Sequence, residues 1–314
     1  MSRALVFPGQ GSQAVGMGKA LAEAYRPARD VFDEVDDALS CKLSRIIFEG
    51  PESDLTLTEN TQPALMVVSM AIIRTLKSDG RAVSDIAAYV AGHSLGEYTA
   101  LCAAGALGLA ETARLLRLRG QAMQRAVPVG EGAMAAILGL DLDAVREIAT
   151  KAAGDDGGVC APANDNAPGQ VVVSGHKRAV ERAVELAQAA GAKRGMLLPV
   201  SAPFHCSLMQ PAAEEMRDAL AGAALVAPAV PVIANVTAEP VDSPERIREL
   251  LVEQVTGMVR WRESVASFRD LGIDNAVEIG AGKVLTGLAR RIDRDIATAS
   301  VQTPEELEAF AAQL

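Results

Sequence analysis

The sequence predicts an α/β fold whose main unit is interrupted by a smaller β-α-β-β-α-β unit. Three observations carry this. Short β-rich runs alternate with helical stretches along the chain, which is the pattern of layered α/β proteins. A Gly-x-Ser-x-Gly turn, Gly92-His93-Ser94-Leu95-Gly96, follows one such run and precedes a helix-rich stretch. Residues 129–200 have their own order of strand, helix, strand, strand, helix, strand, the ferredoxin-like arrangement.

In chain order, Ala4–Phe7 reads as a buried strand entering a Gly-rich turn at Pro8–Gly11. Helical periodicity occupies most of Met17–Leu39, a second helix covers Pro63–Ser78, and Ile86–Ala91 is a strand ending in Gly92. Helices follow over Glu97–Leu107 and Ala110–Ala126. In the smaller unit, strands are expected over Ala133–Leu140, Gly158–Ala163, Gln170–Ser174 and Gly195–Val200, with helices over Asp143–Ala152 and Lys177–Ala190. Asp141 and Gly175-His176 stand at the helix starts, and Gly154 and Gly191 where the helices stop. Pro128 and Pro203 flank the unit, which divides the chain into 1–128 with 201–314 on one side and 129–200 on the other. The larger unit resumes near Ala202, continues with strands at Pro231–Val236 and Ala276–Ile279, and ends in a helical region.

With 314 residues, 49% hydrophobic and 22% charged, the composition is that of an ordinary globular protein. A chain this long buries about three quarters of its unfolded surface, so disordered, collagenous and disulfide-scaffold classes are excluded. The net charge of −10 argues against a general nucleic-acid binder, which needs a basic footprint. The four cysteines form no CxxC pair, and with three histidines a Cys/His zinc site is not expected; reduced thiols are. The N-terminus lacks the basic and apolar regions of a signal peptide, and the most apolar stretch, Thr99–Ala110, is about half the length of a membrane span. A cytoplasmic protein is expected.

The Gly92–Gly96 turn has the form and context of a nucleophile elbow, in which glycines permit a cramped turn that exposes the Ser94 hydroxyl. The Leu95 N–H then lies at a helix start, where it can stabilise an oxyanion. A serine also needs a base. Of the three histidines, His93 adjoins the serine on a turn that drives neighbouring side chains apart, and His176 sits at a helix start in the smaller unit. His205, where the chain re-enters the main unit, is the candidate by elimination and position. Cys206 beside it reads as a small buried residue.

Arg119 stands in an apolar stripe. On the helix wheel, Thr112, Leu115, Leu116, Ala122, Met123 and Ala126 lie within about 60° of it, while Arg114, Arg117 and Arg125 lie on the far side. A buried guanidinium must be paired. Either a carboxylate of the protein pairs it, or it snorkels to water, or it awaits a substrate carboxylate. The loop Gly9-Gln10-Gly11-Ser12-Gln13-Ala14 half-matches a dinucleotide fingerprint but is followed by an acidic helical stretch at Arg29–Leu39 instead of a second strand. The loop's other use is to approach the elbow and supply a second oxyanion donor.

Together these pieces resemble the malonyl-CoA:acyl carrier protein transacylase family of fatty-acid synthesis. The likeness is carried by Phe7-Pro8-Gly9-Gln10-Gly11-Ser12-Gln13, Gly92-His93-Ser94-Leu95-Gly96-Glu97 and Leu118-Arg119-Gly120. It continues through Asn164-Asp165-Asn166-Ala167-Pro168-Gly169-Gln170, Ala202-Pro203-Phe204-His205 and Gly282-Lys283-Val284-Leu285, in family order over essentially the whole chain. The resemblance implies an α/β-hydrolase-like core with a ferredoxin-like insert. It implies Ser94 as nucleophile, His205 as base, Arg119 as the ligand of the malonyl carboxylate, and the Gln10 and Leu95 amides as oxyanion donors. Phe204 and Leu95 match the malonyl-selective pattern, and Met123 and Asn164 complete the expected substrate-binding set. The family's histidine is oriented by a backbone carbonyl, which anchoring on Trp261 assigns to Arg260. Ala281 departs from the usual Gly-Pro-Gly without evident chemical consequence.

By the same resemblance, the substrates are malonyl-CoA and the phosphopantetheine thiol of an acyl carrier protein, with no bound cofactor and no metal. An acidic carrier would dock on a basic patch, either Lys193-Arg194 or Lys283 with Arg290-Arg291. No oligomerisation signature stands out, so a monomer is expected. A serine thioesterase, a trans-acting polyketide acyltransferase and a non-catalytic carrier-binding subunit are the competing readings.

Overall fold

The computed structural model describes residues 2–154 and 158–314. The chain opens with β1 (Arg3–Phe7) and β2 (Tyr89–Gly92), then passes through β3 (Gly132–Leu138), β4 (Cys160–Ala167), β5 (Gln170–His176) and β6 (Arg194–Leu197). It returns with β7 (Val232–Ile233), β8 (Pro240–Val241), β9 (Asn275–Ile279) and β10 (Ala297–Val301). The architecture is α/β, with two sheets among the described residues: a six-stranded one in the order β10-β9-β1-β2-β7-β8 and a four-stranded one in the order β4-β5-β3-β6.

The first sheet is parallel except for the β7–β8 hairpin, and its register sets Phe7 opposite Gly92 and Val6 opposite Glu278. Such a sheet must be covered on both faces, and the alternation in β1 meets that need. Leu5 and Phe7 enter the core formed with the helices Thr58–Ser78 and Leu109–Ala126, while Ala4 and Val6 enter a second core around Trp261 and Phe268. Gly120 brings those two helices together, because a Cβ there would lie 2.6 Å from the Glu59 Cα.

The second sheet is antiparallel throughout. One face, with Ala135, Ile137, Val171 and Val173, is covered by the helices Leu142–Ala153 and Lys177–Ala189. The other face sends Met134, Ala163 and Val172 into the main core. A parallel bridge between Asn164 and Val259 ties β4 to the segment after the helix Pro244–Thr256, with Asp165 N–H donating to Val259 O and Val259 N–H to Ala163 O, each at 2.9 Å.

Several boundaries differ from the sequence reading. The expected strand at 86–91 starts only at Tyr89, because Val83–Ile86 forms a helical turn in which Asp85 accepts the Ala82 N–H. The stretch 17–39 is two helices, Lys19–Ala24 and Arg26–Leu39, broken where Tyr25 becomes extended. The final helical region contains β10, an edge strand held by parallel pairing to β9 and not by strong local propensity. The strand expected at 195–200 is shorter and earlier, Arg194–Leu197. Among the described residues no helix is long and apolar enough to cross a membrane.

Candidate active site

The elbow follows from where Cβ atoms cannot fit. A Cβ on Gly92 would lie 1.9 Å from the Gly96 carbonyl oxygen, and one on Gly96 would lie 2.3 Å from the Phe7 oxygen. With both glycines, the chain turns from β2 into the helix Leu95–Ala103 through Ser94, which is held at φ 54° and ψ −111°. That is a conformation a non-glycine residue keeps only when its surroundings enforce it. Asn235 enforces it: its Oδ1 accepts the Ser94 N–H and its Nδ2 donates to the Gly92 carbonyl, both at 2.7 Å.

The Ser94 Oγ lies 2.8 Å from His205 Nε2. On the opposite side of the imidazole, Nδ1 lies 2.8 Å from the Gln254 carbonyl oxygen and 3.1 Å from that of Gly257. Carbonyls only accept, so Nδ1 carries the proton and Nε2 is left to accept from the serine. Burial, followed by the charge of Arg119, pushes His205 down to about 3, which keeps the ring neutral.

The Arg260 carbonyl does not orient the histidine. Arg260 is the N-cap of the helix Trp261–Ala266, so its carbonyl accepts the Ser264 N–H and hydroxyl, while its guanidinium binds Glu263 and the Val236 and Thr237 carbonyls. Gln254 lies in the last turn of the helix Pro244–Thr256 and Gly257 just beyond it, where helix carbonyls lack partners of their own.

Arg119 is 1% exposed, so it does not snorkel to water, and among the described residues it makes no salt bridge. Nη1 donates to Gln62 Oε1 and Nη2 to Gln254 Oε1, each at 2.8 Å, and Nη2 also reaches Ser94 Oγ at 3.2 Å. Both principal acceptors are neutral amides. It lies 5.7 Å from the Tyr98 ring centroid.

A cavity of about 290 Å³ joins these groups, and Gln10, Leu95, Met123, Asn164 and Phe204 line it as well. Arg260 lines a different cleft. The Gln10 loop reaches the elbow because Gly9 has no side chain: a Cβ there would lie 2.8 Å from the His93 oxygen. His93 turns away from Ser94 toward Asn166 Oδ1, at 2.8 Å. His176 accepts the Val159 N–H, and buried Cys206 has its thiol pushed up by burial. Of the basic candidates, Lys193 and Arg194 are exposed at the end of β6 that meets Leu138, four residues along β3 from the cavity-lining Met134. Lys283 pairs with Glu306 at 3.0 Å, Arg290 binds Thr298, and Arg291 binds Gln170.

The sequence reading gives no role to four neighbours: Gln62, Glu97, Asn235 and Gln254. Glu97 alone leaves a sequence signal, as the last residue of the Gly92–Glu97 motif.

A family model described as an acyl transferase domain matches residues 4–303. The chain belongs to this acyl transferase family. Over 97% of its length it is 46% identical to the malonyl CoA-acyl carrier protein transacylase of Bacillus subtilis, covering 95% of that protein. The crystal structure of the acyl-carrier-protein S-malonyltransferase from Bartonella henselae is 59% identical, with a TM-score of 0.96 and 98% of each chain covered. A malonyl-transacylase in complex with a type II polyketide acyl-carrier protein is 42% identical, with a TM-score of 0.96 and 100% of each chain covered. The family resemblance carried by the motifs is thus borne out for this acyl transferase.

Proposed function

We propose that this acyl transferase moves a malonyl group from malonyl-CoA to the phosphopantetheine thiol of an acyl carrier protein, through a malonyl ester on Ser94. The observation that carries the reading is the buried Arg119 cation, which has no carboxylate partner among the described residues and lies 3.2 Å from the Ser94 hydroxyl. A guanidinium so placed matches an acyl group that ends in a carboxylate.

His205 Nε2 takes the Ser94 proton as Oγ attacks the thioester carbonyl. The carbonyl oxygen becomes an oxyanion, received by the Gln10 and Leu95 amides; one such donor is worth about 3–4 kcal/mol. Collapse of the intermediate breaks the C–S bond, and the proton on His205 goes to the departing CoA sulfur. In the second half, His205 takes the proton of the carrier thiol, the sulfur attacks the ester, and the proton returns to Ser94 Oγ. Every step is a proton transfer or an acyl exchange among Ser94, His205 and the two substrate thiols.

The fold reading that goes with this chemistry is a hydrolase-like core of residues 1–128 and 201–314 with a ferredoxin-like insert at 129–200. It is supported by the two separate sheets and by the covering helices of the smaller one. Docking of an acidic carrier at Lys193-Arg194 is favoured over the Lys283 cluster, because the former pair is exposed whereas Lys283 is already paired with Glu306. A cytoplasmic monomer is the corresponding state.

The test is intact-protein mass after brief mixing with malonyl-CoA. A single malonyl adduct that persists, is absent in Ser94→Ala, and clears on addition of carrier protein is expected. Immediate hydrolysis would indicate a thioesterase instead, and no adduct would exclude both.

A further inference from the structure

The side-chain amide of Gln254 has two chemically different ends, and each meets a different neighbour. Its Oε1 accepts from Arg119 Nη2 at 2.8 Å, while its Nε2 donates to the Ser94 carbonyl at 3.0 Å and to Glu97 Oε2 at 2.9 Å. Glu97 is 2% exposed, and the same oxygen accepts the Asn235 N–H at 3.0 Å. The two ends of an amide are nearly the same size, so packing alone does not choose between them. The choice falls to the neighbours: a guanidinium only donates and a carboxylate only accepts. Turned over, the amide would set N–H against N–H at Arg119 and oxygen against oxygen at Glu97.

We propose that Glu97 is a positioning residue for acyl selection, fixing the Gln254 amide so that Oε1 holds the Arg119 guanidinium beside Ser94. The proposal rests on the reading that Arg119 receives the malonyl carboxylate. It also accounts for a buried acid placed near a buried base without contact between them. The intervening amide brings a carboxylate close to Arg119 yet leaves the guanidinium without an ion-pair partner among the described residues, so a substrate carboxylate can still take the bond. A carboxylate in direct contact would occupy the same place as the substrate.

The test compares wild type, Glu97→Gln, Glu97→Met, Gln254→Met and the double variant Glu97→Met/Gln254→Met. The readout is the ratio of kcat/KM for malonyl-CoA to that for acetyl-CoA, with Ser94 acylation by p-nitrophenyl acetate as a carboxylate-free reference. The Met substitution at 254 keeps the backbone carbonyl that holds His205. Glu97→Met and Gln254→Met are each expected to lower the ratio by about tenfold or more. The KM for malonyl-CoA should rise, and ester acylation should fall less than malonyl transfer. The double variant should be no worse than either single one, as for two residues acting through one bond. Glu97→Gln offers a carbonyl to the same two N–H donors and should rescue the ratio to within about threefold.

Equal losses for malonyl, acetyl and ester substrates would reduce Glu97 to a brace of the elbow and overturn the proposal. So would additive effects in the double variant, or failure of Glu97→Gln to rescue. If Glu97→Met does not fold, Glu97→Asp, whose carboxylate is drawn back by one methylene, is measured in its place with the same expected loss. A wild type without malonyl preference would overturn the functional reading itself, and this inference with it.

Discussion

The guanidinium of Arg119 and the hydroxyl of Ser94 lie 3.2 Å apart, so in the proposed reaction the group that recognises the acyl chain adjoins the group that attacks it. Recognition and reaction therefore share one hydrogen-bonded cluster. A substrate whose far end binds correctly also has its carbonyl delivered to the nucleophile.

Arg119→Ala should remove that recognition. A charge-assisted hydrogen bond is worth about 1.5–3 kcal/mol, so malonyl transfer should fall by roughly 10- to 150-fold or more. Acetyl transfer should rise relative to it, because an acetyl group no longer strands a buried cation. The measurement is the kcat/KM ratio for the two CoA esters; an unchanged malonyl preference would remove Arg119 from the site.

The pH dependence follows from two buried groups shifted in opposite senses. His205, at about 3, is a neutral base throughout the working range, so the acid limb of acylation kcat/KM should lie well below the ordinary histidine value of about 6.5. Burial raises the Glu97 carboxyl to about 7, so any limb near neutrality should vanish in Glu97→Gln. A limb near 6.5 that survives in Glu97→Gln would contradict the neutral base.

Stability carries the same signs. Above its depressed folded value, His205 lacks a proton that the unfolded chain binds below about 6.5, so stability falls as pH drops through that window. Glu97 does the reverse: its contribution is full below the unfolded carboxyl value, about 4.3, and is lost as pH rises through about 7. Urea unfolding of wild type and Glu97→Gln at pH 5 and pH 8 should show a smaller loss of stability on going to pH 8 in the variant.

Arg260→Ala should leave kcat close to wild type, because its carbonyl belongs to the helix cap and not to His205. The half-exposed pair with Glu263 is worth about 1 kcal/mol or less. A large fall in kcat with intact folding would return Arg260 to the base.

Gly120→Ala should cost about 1–3 kcal/mol through overpacking, since its Cβ would meet the Glu59 backbone. By separating the helices that carry Arg119 and Gln62, it should also raise the KM for malonyl-CoA. Thermal unfolding and steady-state kinetics check the two effects.

Charge reversal at Lys193 and Arg194 should raise the KM for the carrier protein more than that for malonyl-CoA, with the difference shrinking at high salt. Equal effects on both substrates would place docking elsewhere.

How much of this is legible in the sequence depends on how local each constraint is. The elbow is readable because two glycines around Ser94 answer to a steric demand within five residues. Arg119 is readable because a helix wheel exposes a cation on an apolar face, and His205 because the chain holds few histidines. Gln254 is not readable: it is one amide in an amphipathic helix, and its importance arises only when that helix ends against Ser94, Glu97 and Arg119 together. The Arg260 assignment fails for a related reason. Counting back from Trp261 finds a carbonyl, but only the fold reveals that a helix cap has already taken it. Of the α/β layout, the alternation of elements is clear in the sequence, whereas β10 depends on its partner strand.

The bridge between Asn164 and Val259 has a consequence for exchanging parts between related enzymes. Val259 lies two residues past Gly257, whose carbonyl helps orient His205. A chimera that takes residues 129–200 from another acyl transferase would thus disturb proton transfer unless its β4 edge also matches the register at Val259. Compatibility at that seam, more than overall sequence similarity of the grafted segment, should decide which chimeras turn over.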